Sequence, residues 1–243
     1  MILSIKNLLR IRSEAAGLEN SWKSPADLPM ELVVSSLFIL PERWAGCIIK
    51  HKAHRKRTDM TNHLNVIFLA SEAAPLVKIG GLGDVAGSLP AALRSLPTPV
   101  DVRLVLPFYP QLALDPEELV PAATFNIAHR DGALLTEVFE IKRQGVPIYL
   151  IAGPPVAASN AVYSGDHALD GTKFTYFSLA AMQLARSLKW QPDILHAHDW
   201  HASPAVYNLQ LIREHEDFYA DTRSLLTVHN LPYLGHGAED ALE

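Results

Sequence analysis

Three short polar segments contain most of the side chains in this sequence that could do chemistry. The first, at residues 78–85, reads KIGGLGDV, the second, at residues 196–201, reads HAHDWH, and the third, at residues 227–230, reads TVHN. Each lies at or just after the end of an apolar run that is typical of a parallel strand. Because the carboxyl ends of the strands in an open α/β sheet form the ligand crevice, we expect the three segments to contribute to one site.

The first segment combines glycines with a lysine and precedes a predicted helix. Glycine allows the backbone to approach a bulky ligand and to adopt positive φ angles. The N–H groups at a helix N-terminus can bind an anion, and Lys78 adds a point charge suited to phosphate. The spacing matches neither the P-loop nor the dinucleotide-binding fingerprint. The segment therefore indicates an anion site, and a tight strand-to-helix turn without a ligand is the alternative.

The second segment carries side chains that metals use as ligands. His196, His198, Asp199 and His201 are clustered, and a His-x-His pair followed by a carboxylate and another histidine is common in metal sites. In a strand, His196 and His198 would share one face, and the other two residues would lie in the turn beyond it. That arrangement could bind a metal, or it could bind a sugar through its hydroxyl groups. A single histidine could also do no more than satisfy buried backbone groups.

The elements that must position these segments alternate between strand and helix. Predicted strands cover residues 65–70, 102–106, 134–141, 146–152, 193–196 and 224–228, and predicted helices cover residues 84–96, 172–188 and 202–214. Pro90 is expected to kink or split the first helix. The two strands on either side of Gln144-Gly145 indicate a hairpin inserted into the alternation. The order predicts an α/β fold with a doubly wound parallel sheet.

Composition is typical of a globular protein and excludes several classes of function. The chain has 243 residues, of which 49% are hydrophobic, and a net charge of −5. The negative charge gives no electrostatic case for binding nucleic acid. The apolar runs are too short for a membrane-spanning helix, which takes about 20 residues. The single cysteine, Cys47, excludes an intramolecular disulfide and suits a reducing compartment.

Residues 1–62 differ from the rest of the chain. They include the basic run KHKAHRKR at residues 50–57, which is typical of a solvated or disordered stretch. A transit peptide should be poor in acidic residues, whereas this region contains Glu14, Glu19, Asp27 and Glu31. We expect residues 1–62 to be a disordered extension outside the fold and residues 63–243 to form the domain. A bacterial cytoplasm is the expected location, ahead of a plastid.

Taken together, the segments resemble the N-terminal domain of bacterial glycogen synthases and plant starch synthases, glycosyltransferase family 5. The matching stretches are ASEAAPLVKIGGLGDV at 70–85, PFYP at 107–110, DILHAHDWH at 193–201 and TVHNLPYLG at 227–235. The resemblance implies a Rossmann-like domain, the N-terminal half of a GT-B enzyme with two domains facing across a cleft. It implies retaining transfer of glucose from ADP-glucose to the non-reducing end of an α-1,4-glucan, glycogen or starch.

The same resemblance implies roles for particular residues. Asp199 and His229 match positions beside the transferred glucose and are implied as the catalytic residues. His229 would bind the sugar and stabilise oxocarbenium-like charge, and Asp199 would orient its hydroxyl groups, so both would act on the transition state. No metal and no cofactor are implied.

The implied substrate-binding residues belong to the first and third segments and to the strand end before them. They are Lys78, Gly80, Gly81, Asp84, Glu72, Asn230 and Tyr233. The lysine would contact the phosphate or glucosyl region of the donor, and Gly80 and Gly81 would bring backbone N–H groups close to the donor. The two acidic residues would line the sugar or acceptor site.

Two further functions stay open. A metal-dependent hydrolase could use His196, His198, Asp199 and His201, and bound zinc or manganese would favour it. A non-catalytic glucan-binding module would bind glucan without transferring glucose. The resemblance also implies a C-terminal domain with most of the nucleotide pocket, which these 243 residues do not include. We therefore expect the chain alone to have no useful synthase activity.

Overall fold

The computed structural model describes residues 63–98, 100–233 and 235, and the predicted extension at residues 1–62 lies outside the described residues. The described strands are β1 (Leu64–Leu69), β2 (Val100–Pro107), β3 (Val120–His129), β4 (Gly132–Arg143), β5 (Val146–Ala152), β6 (Ile194–His198) and β7 (Arg223–Thr227). They form one sheet in the spatial order β3-β4-β5-β2-β1-β6-β7. The described helices are α1 (Gly81–Arg94), α2 (Pro154–Ala157), α3 (His167–Ser187) and α4 (Asp199–Ile212), with a 3₁₀ helix at Pro116–Glu118.

The sheet has a parallel part and an antiparallel extension. Strands β5, β2, β1, β6 and β7 are parallel neighbours, whereas β4 pairs antiparallel with both β3 and β5. The doubly wound α/β fold and the predicted hairpin, which is β4 and β5, are confirmed. The chain adds β2 and β5 on one side of β1, then crosses to add β6 and β7 on the other. This reversal of strand order places a topological switch point between β1 and β6, where open α/β sheets bind ligands.

Both faces of strands β5, β2, β1 and β6 are largely buried, which explains the continuous apolar runs. Along β1, Val66 and Phe68 belong to the core beneath α1, together with Leu82. Ile67 and Leu69 belong to the core on the opposite face, which α3 and α4 cover. Within the described residues, no helix is long and apolar enough to cross a membrane.

Two helices differ from their predicted form. Helix α1 begins at Gly81 and continues through Pro90 without a break, so the helix is not split at this residue. A proline removes only one helical hydrogen bond, and Pro90 is itself buried together with Leu82 and Ala86. Helix α3 begins five residues before the predicted Thr172, because the Asp166 side chain accepts hydrogen bonds from the first turn and so caps the helix.

Strand β3 was not predicted from the sequence. Its residues, VPAATFNIAH, are mostly exposed or half-buried, because β3 is an edge strand that pairs with β4 alone among the described strands. Small and polar residues weaken the alternation that identifies a strand. These residues therefore form a strand because they pair with β4, and not because of their own sequence pattern.

Candidate functional site

The three polar segments meet at the carboxyl edge of the sheet, around the switch point. The first segment follows β1, the second includes the end of β6, and the third begins at the end of β7. Because β6 pairs with both β1 and β7, the three strand ends are adjacent. The ends of the strands that lead into the three segments are therefore neighbours, as the sequence predicted.

A buried carboxylate holds the glycine turn at residues 78–83. Glu72 is 2% exposed and accepts hydrogen bonds from the backbone N–H groups of Ile79 and Gly80, the latter at 2.9 Å. Tyr163 donates its hydroxyl to the other carboxylate oxygen at 3.1 Å. Glu72 lies beneath the turn and shapes it, whereas the sequence placed Glu72 on the wall of the sugar site.

Among the glycines of this turn, Gly83 is required for space, and none of them has a positive φ. The described glycines with positive φ are Gly132, Gly145, Gly165 and Gly235, so this turn does not use the positive φ angles that glycine allows. A Cβ atom at Gly83 would lie 3.0 Å from a Glu72 oxygen, whereas one at Gly81 would meet nothing within 4 Å. Gly80 already uses its N–H group for Glu72. Gly81 begins α1, whose first-turn N–H groups have no partner within the helix.

Lys78 and Asp84 lie on the outer side of the glycine turn. Their charged groups are 2.7 Å apart, and their side chains are 51% and 61% exposed. An ion pair this exposed contributes about 0–1 kcal/mol to stability. Lys78 can therefore exchange its partner for an anionic ligand at little cost.

Three histidine rings form a contiguous row beside the switch point. His196 and His198 share one face of β6, as predicted, and His198 stacks on Phe68 with ring centroids 4.1 Å apart. The Nδ1 atom of His198 lies 2.8 Å from Nε2 of His229, and His196 Nε2 lies 2.8 Å from the Thr227 hydroxyl. The row therefore links the end of β6 to the end of β7.

Burial keeps the inner histidines neutral. Burial, with the nearby His196 and His229, lowers the pKa of His198 to about 2. Burial and His229 lower the pKa of His196 to about 4. Neutral imidazole has one donor and one acceptor nitrogen, so His196 and His198 can each donate a single hydrogen bond through the ring.

Asp199 joins strand β6 directly to helix α4, without the turn that the sequence indicated. Its φ of 57° lies in the left-handed region, which non-glycine residues seldom adopt. Residues with such strained backbones cluster at functional sites. Its carboxylate accepts the backbone N–H of His229 at 2.6 Å. Asp199 therefore fixes the backbone at His229, and the His198 ring fixes the side chain.

The geometry does not support the hypothesis that the second segment is the metal site of a hydrolase. His201 lies on the other face of the sheet from His196 and His198, with its ring against Tyr163 and Phe174 at centroid distances of 4.7 and 4.5 Å. Among the described residues, no group of three or more His, Cys, Asp or Glu is arranged to hold a metal ion. Because His196 and His198 lie on one face of β6 and His201 lies on α4, these candidate metal ligands point in different directions.

The third segment presents its polar side chains outward. His229 and Asn230 are exposed, and Tyr233 is 70% exposed. Gly235 returns to the second segment, since a Cβ atom there would lie 2.6 Å from the Trp200 ring. The segment therefore closes over the start of α4 and leaves its side chains available to a ligand.

Two tyrosines at the site were not identified from the sequence. Tyr163 precedes α3, and Tyr109 follows β2 and donates its hydroxyl to the Ser71 carbonyl oxygen at 2.7 Å. Burial raises the pKa of Tyr163 well above its usual value. Both follow strands of the parallel part, so the rule that strand ends meet at one edge could have indicated them.

A groove of about 340 Å³ lies between the β3–β4 hairpin and helices α3 and α4, and none of the predicted site residues lines it. Lys78, His229 and Tyr233 are instead exposed on the surface.

Comparisons with known proteins agree with this architecture. The family model of the starch synthase catalytic domain matches residues 65–243. A glycogen synthase of Photobacterium profundum is 33% identical over 192 residues, which cover 74% of this chain and 36% of that protein. A glycogen synthase of Geobacillus stearothermophilus is 35% identical over 173 residues, covering 71% and 35%.

A solved structure is similar as well. It is the catalytic domain of Starch Synthase IV from Arabidopsis thaliana bound to ADP and acarbose, with a TM-score of 0.61 and 26% identity over 71% of this chain and 35% of that chain. This chain spans about a third of the length of these relatives. The chain belongs to the starch synthase catalytic domain family of glycosyltransferases.

Proposed function

We propose that this chain forms one wall of a glycogen or starch synthase that transfers glucose from ADP-glucose to the non-reducing end of an α-1,4-glucan. The observation that carries this proposal is the position of His229, an exposed imidazole held at the switch point by the His198 ring and the Asp199 carboxylate. The family to which the chain belongs supports it. The glycogen synthases to which the chain is similar are bacterial, and we place the reaction in a bacterial cytoplasm.

His229 is the residue that would contact the transferred sugar. Its ring would hydrogen-bond a sugar hydroxyl and stabilise positive charge that develops at the anomeric carbon, an interaction stronger in the transition state than in the ground state. Asp199 would orient His229 through the backbone N–H, in addition to any contact with hydroxyl groups. Both residues would act mainly on the rate of transfer.

The donor and acceptor would bind on either side of His229. Lys78 and the free first-turn N–H groups of α1 at Gly81 suit the donor phosphates. Asp84, Asn230 and Tyr233 are exposed and suit sugar hydroxyls and ring faces. Glu72 and the Gly80 N–H group would contribute indirectly, by holding the glycine turn.

Calorimetric titration of the purified 243-residue chain with a maltooligosaccharide tests the proposal, with bound metal measured on the same sample. We expect saturable binding that His229→Ala weakens and that His129→Ala, on an exposed histidine of the β3–β4 hairpin, leaves unchanged. We also expect no steady glucose transfer from ADP-glucose. A folded sample that binds no glucan, or that holds stoichiometric metal, would contradict the proposal.

A further inference from the structure

Helix α3 carries a fully buried ion pair that the proposed chemistry does not use. The Lys173 side chain is 0% exposed, and its ammonium lies 2.8 Å from a carboxylate oxygen of Asp170 one turn earlier. Burying two charges costs free energy unless both are paired and hydrogen-bonded. The contacts that compensate these charges therefore indicate what the pair does.

Both charges bind the segment that precedes α3. The Lys173 ammonium donates to the carbonyl oxygens of Ala161 and Val162 at 3.2 and 2.8 Å. The Asp170 carboxylate accepts the backbone N–H of Ser164 at 2.9 Å. The ion pair thus holds the backbone at residues 161–162 and at residue 164, on both sides of residue 163.

That residue is Tyr163, which reaches the glycine turn. Its hydroxyl lies 2.9 Å from the Ser71 hydroxyl and donates to Glu72. Glu72 in turn accepts the N–H groups of Ile79 and Gly80. A series of direct contacts therefore connects the buried ion pair to the start of α1, although Gly80 and Lys173 are 93 positions apart in the sequence.

We propose that the Lys173–Asp170 pair is a positioning device that fixes Tyr163, and through it Glu72 and the glycine turn, in the geometry that binds ligand. This inference rests on the proposed function for the identity of the ligand. Lys173 and Asp170 are too deeply buried to touch it, so they are positioning residues. Ordering the turn before the ligand arrives reduces the entropy that binding must overcome.

Hydrogen exchange of the purified chain, without ligand, tests the positioning by itself. In Tyr163→Phe the ring packing is retained and the hydroxyl that donates to Glu72 is lost. We expect the amides of Ile79 and Gly80 to exchange about tenfold faster, the effect of losing a hydrogen bond to a charged group. Lys173→Met should raise these exchange rates by at least the same factor. Lys173→Arg keeps the positive charge, so the two amides should exchange more slowly in it than in Lys173→Met.

A matched control separates positioning from general stability of α3. Arg186 forms an ion pair with Glu216 at the other end of the helix, at 2.6 Å, and Arg186→Met should leave exchange at Ile79 and Gly80 unchanged. Unchanged exchange in Tyr163→Phe, or equal acceleration in Arg186→Met, would overturn the proposal. If Lys173→Met does not fold, the comparison of Tyr163→Phe with Arg186→Met decides.

Titration with maltoheptaose connects the positioning to the site. Tyr163→Phe and Lys173→Arg should weaken binding about fivefold or less, and Arg186→Met should not weaken it. A wild-type chain that binds no maltoheptaose would contradict the proposed function, while the exchange comparison would still decide whether the pair positions the turn.

Discussion

The two halves of the site are held in different ways. The glycine-turn half, residues 71–84 with Tyr163, rests on the buried Glu72 carboxylate, which accepts from two backbone N–H groups and a hydroxyl. The histidine half, residues 196–199 and 227–233, ends on the exposed His229, which two hydrogen bonds hold. The difference indicates that the first half is shaped before ligand binds. The second half depends on a few contacts that single substitutions can remove.

Acidification should have the largest effect, because it acts on the buried His196 and His198 of the histidine half and on the nearby His201, whereas the glycine-turn half contains no histidine. Burial lowers the folded-state pKa of His198 to about 2, of His201 to about 3 and of His196 to about 4. The unfolded value is about 6.5. The unfolded chain then binds protons that the folded chain does not, so the stability decreases as the pH falls below about 6.5 toward these values.

The expected loss at pH 5 is up to about 2 kcal/mol for each histidine. Urea denaturation at pH 7.5 and pH 5 measures it. His198→Phe, which can stack on Phe68 in the same way, should reduce the pH dependence of the unfolding free energy. Equal stability of the wild type at the two pH values would contradict the buried, neutral state of His196 and His198.

Removing the Glu72 carboxylate should have the next largest effect. Glu72→Ala leaves two N–H groups and the Tyr163 hydroxyl without their acceptor, and unsatisfied buried groups make this cost about 3 kcal/mol or more. Glu72→Gln keeps an acceptor oxygen and should cost about 1 kcal/mol. Thermal unfolding of the pair of variants provides the measurement, and equal midpoints for the two would refute the role of the carboxylate in the turn.

Substitutions at Asp199 test how the histidine half is held. Asp199→Ala loses the acceptor for the His229 N–H and places alanine at a φ of 57°, so it should cost about 2 kcal/mol. Asn tolerates the left-handed region and keeps an oxygen acceptor, so Asp199→Asn should cost about 0.5 kcal/mol. Chemical denaturation distinguishes them, and a more stable Ala variant would show that neither the bond nor the strain is as described.

Lys78→Ala should have the smallest effect on stability. The exposed pair with Asp84 contributes little, so the unfolding free energy should change by less than about 0.5 kcal/mol. Binding of ADP-glucose, measured by titration, should nevertheless weaken, because Lys78 is the residue proposed to bind the donor phosphates. Asp84→Asn is the matched control, since it frees the same lysine. A large loss of stability in Lys78→Ala would place Lys78 in the structural framework of the turn.

Much of the fold could be predicted because its signals are local. The apolar run at residues 65–70 follows from burial on both faces of a parallel strand, and the turn at Gln144-Gly145 marks the β4–β5 hairpin. Strand β3 could not be predicted, because its exposed small residues become a strand through pairing with β4. The uninterrupted helix through Pro90 likewise depends on packing against the sheet.

The candidate site likewise has some features that the sequence predicts and others that it does not. The residue types of the three segments, and their places at strand ends, are properties of the sequence, because the direction of a parallel strand follows from the order of strands and helices. The sequence alone also determined the family resemblance, since the motifs keep their order and spacing.

Only the tertiary structure decided which way each side chain faces and what it touches. Glu72 became a buried support, and His201 turned away from His198, because helix α4 begins at Asp199 without an intervening turn. Tyr163 reaches the glycine turn through its hydroxyl, which donates to Glu72, a residue 91 positions away in the sequence. The physical reason is that burial and hydrogen bonding depend on neighbours from other elements, and local sequence does not specify those neighbours.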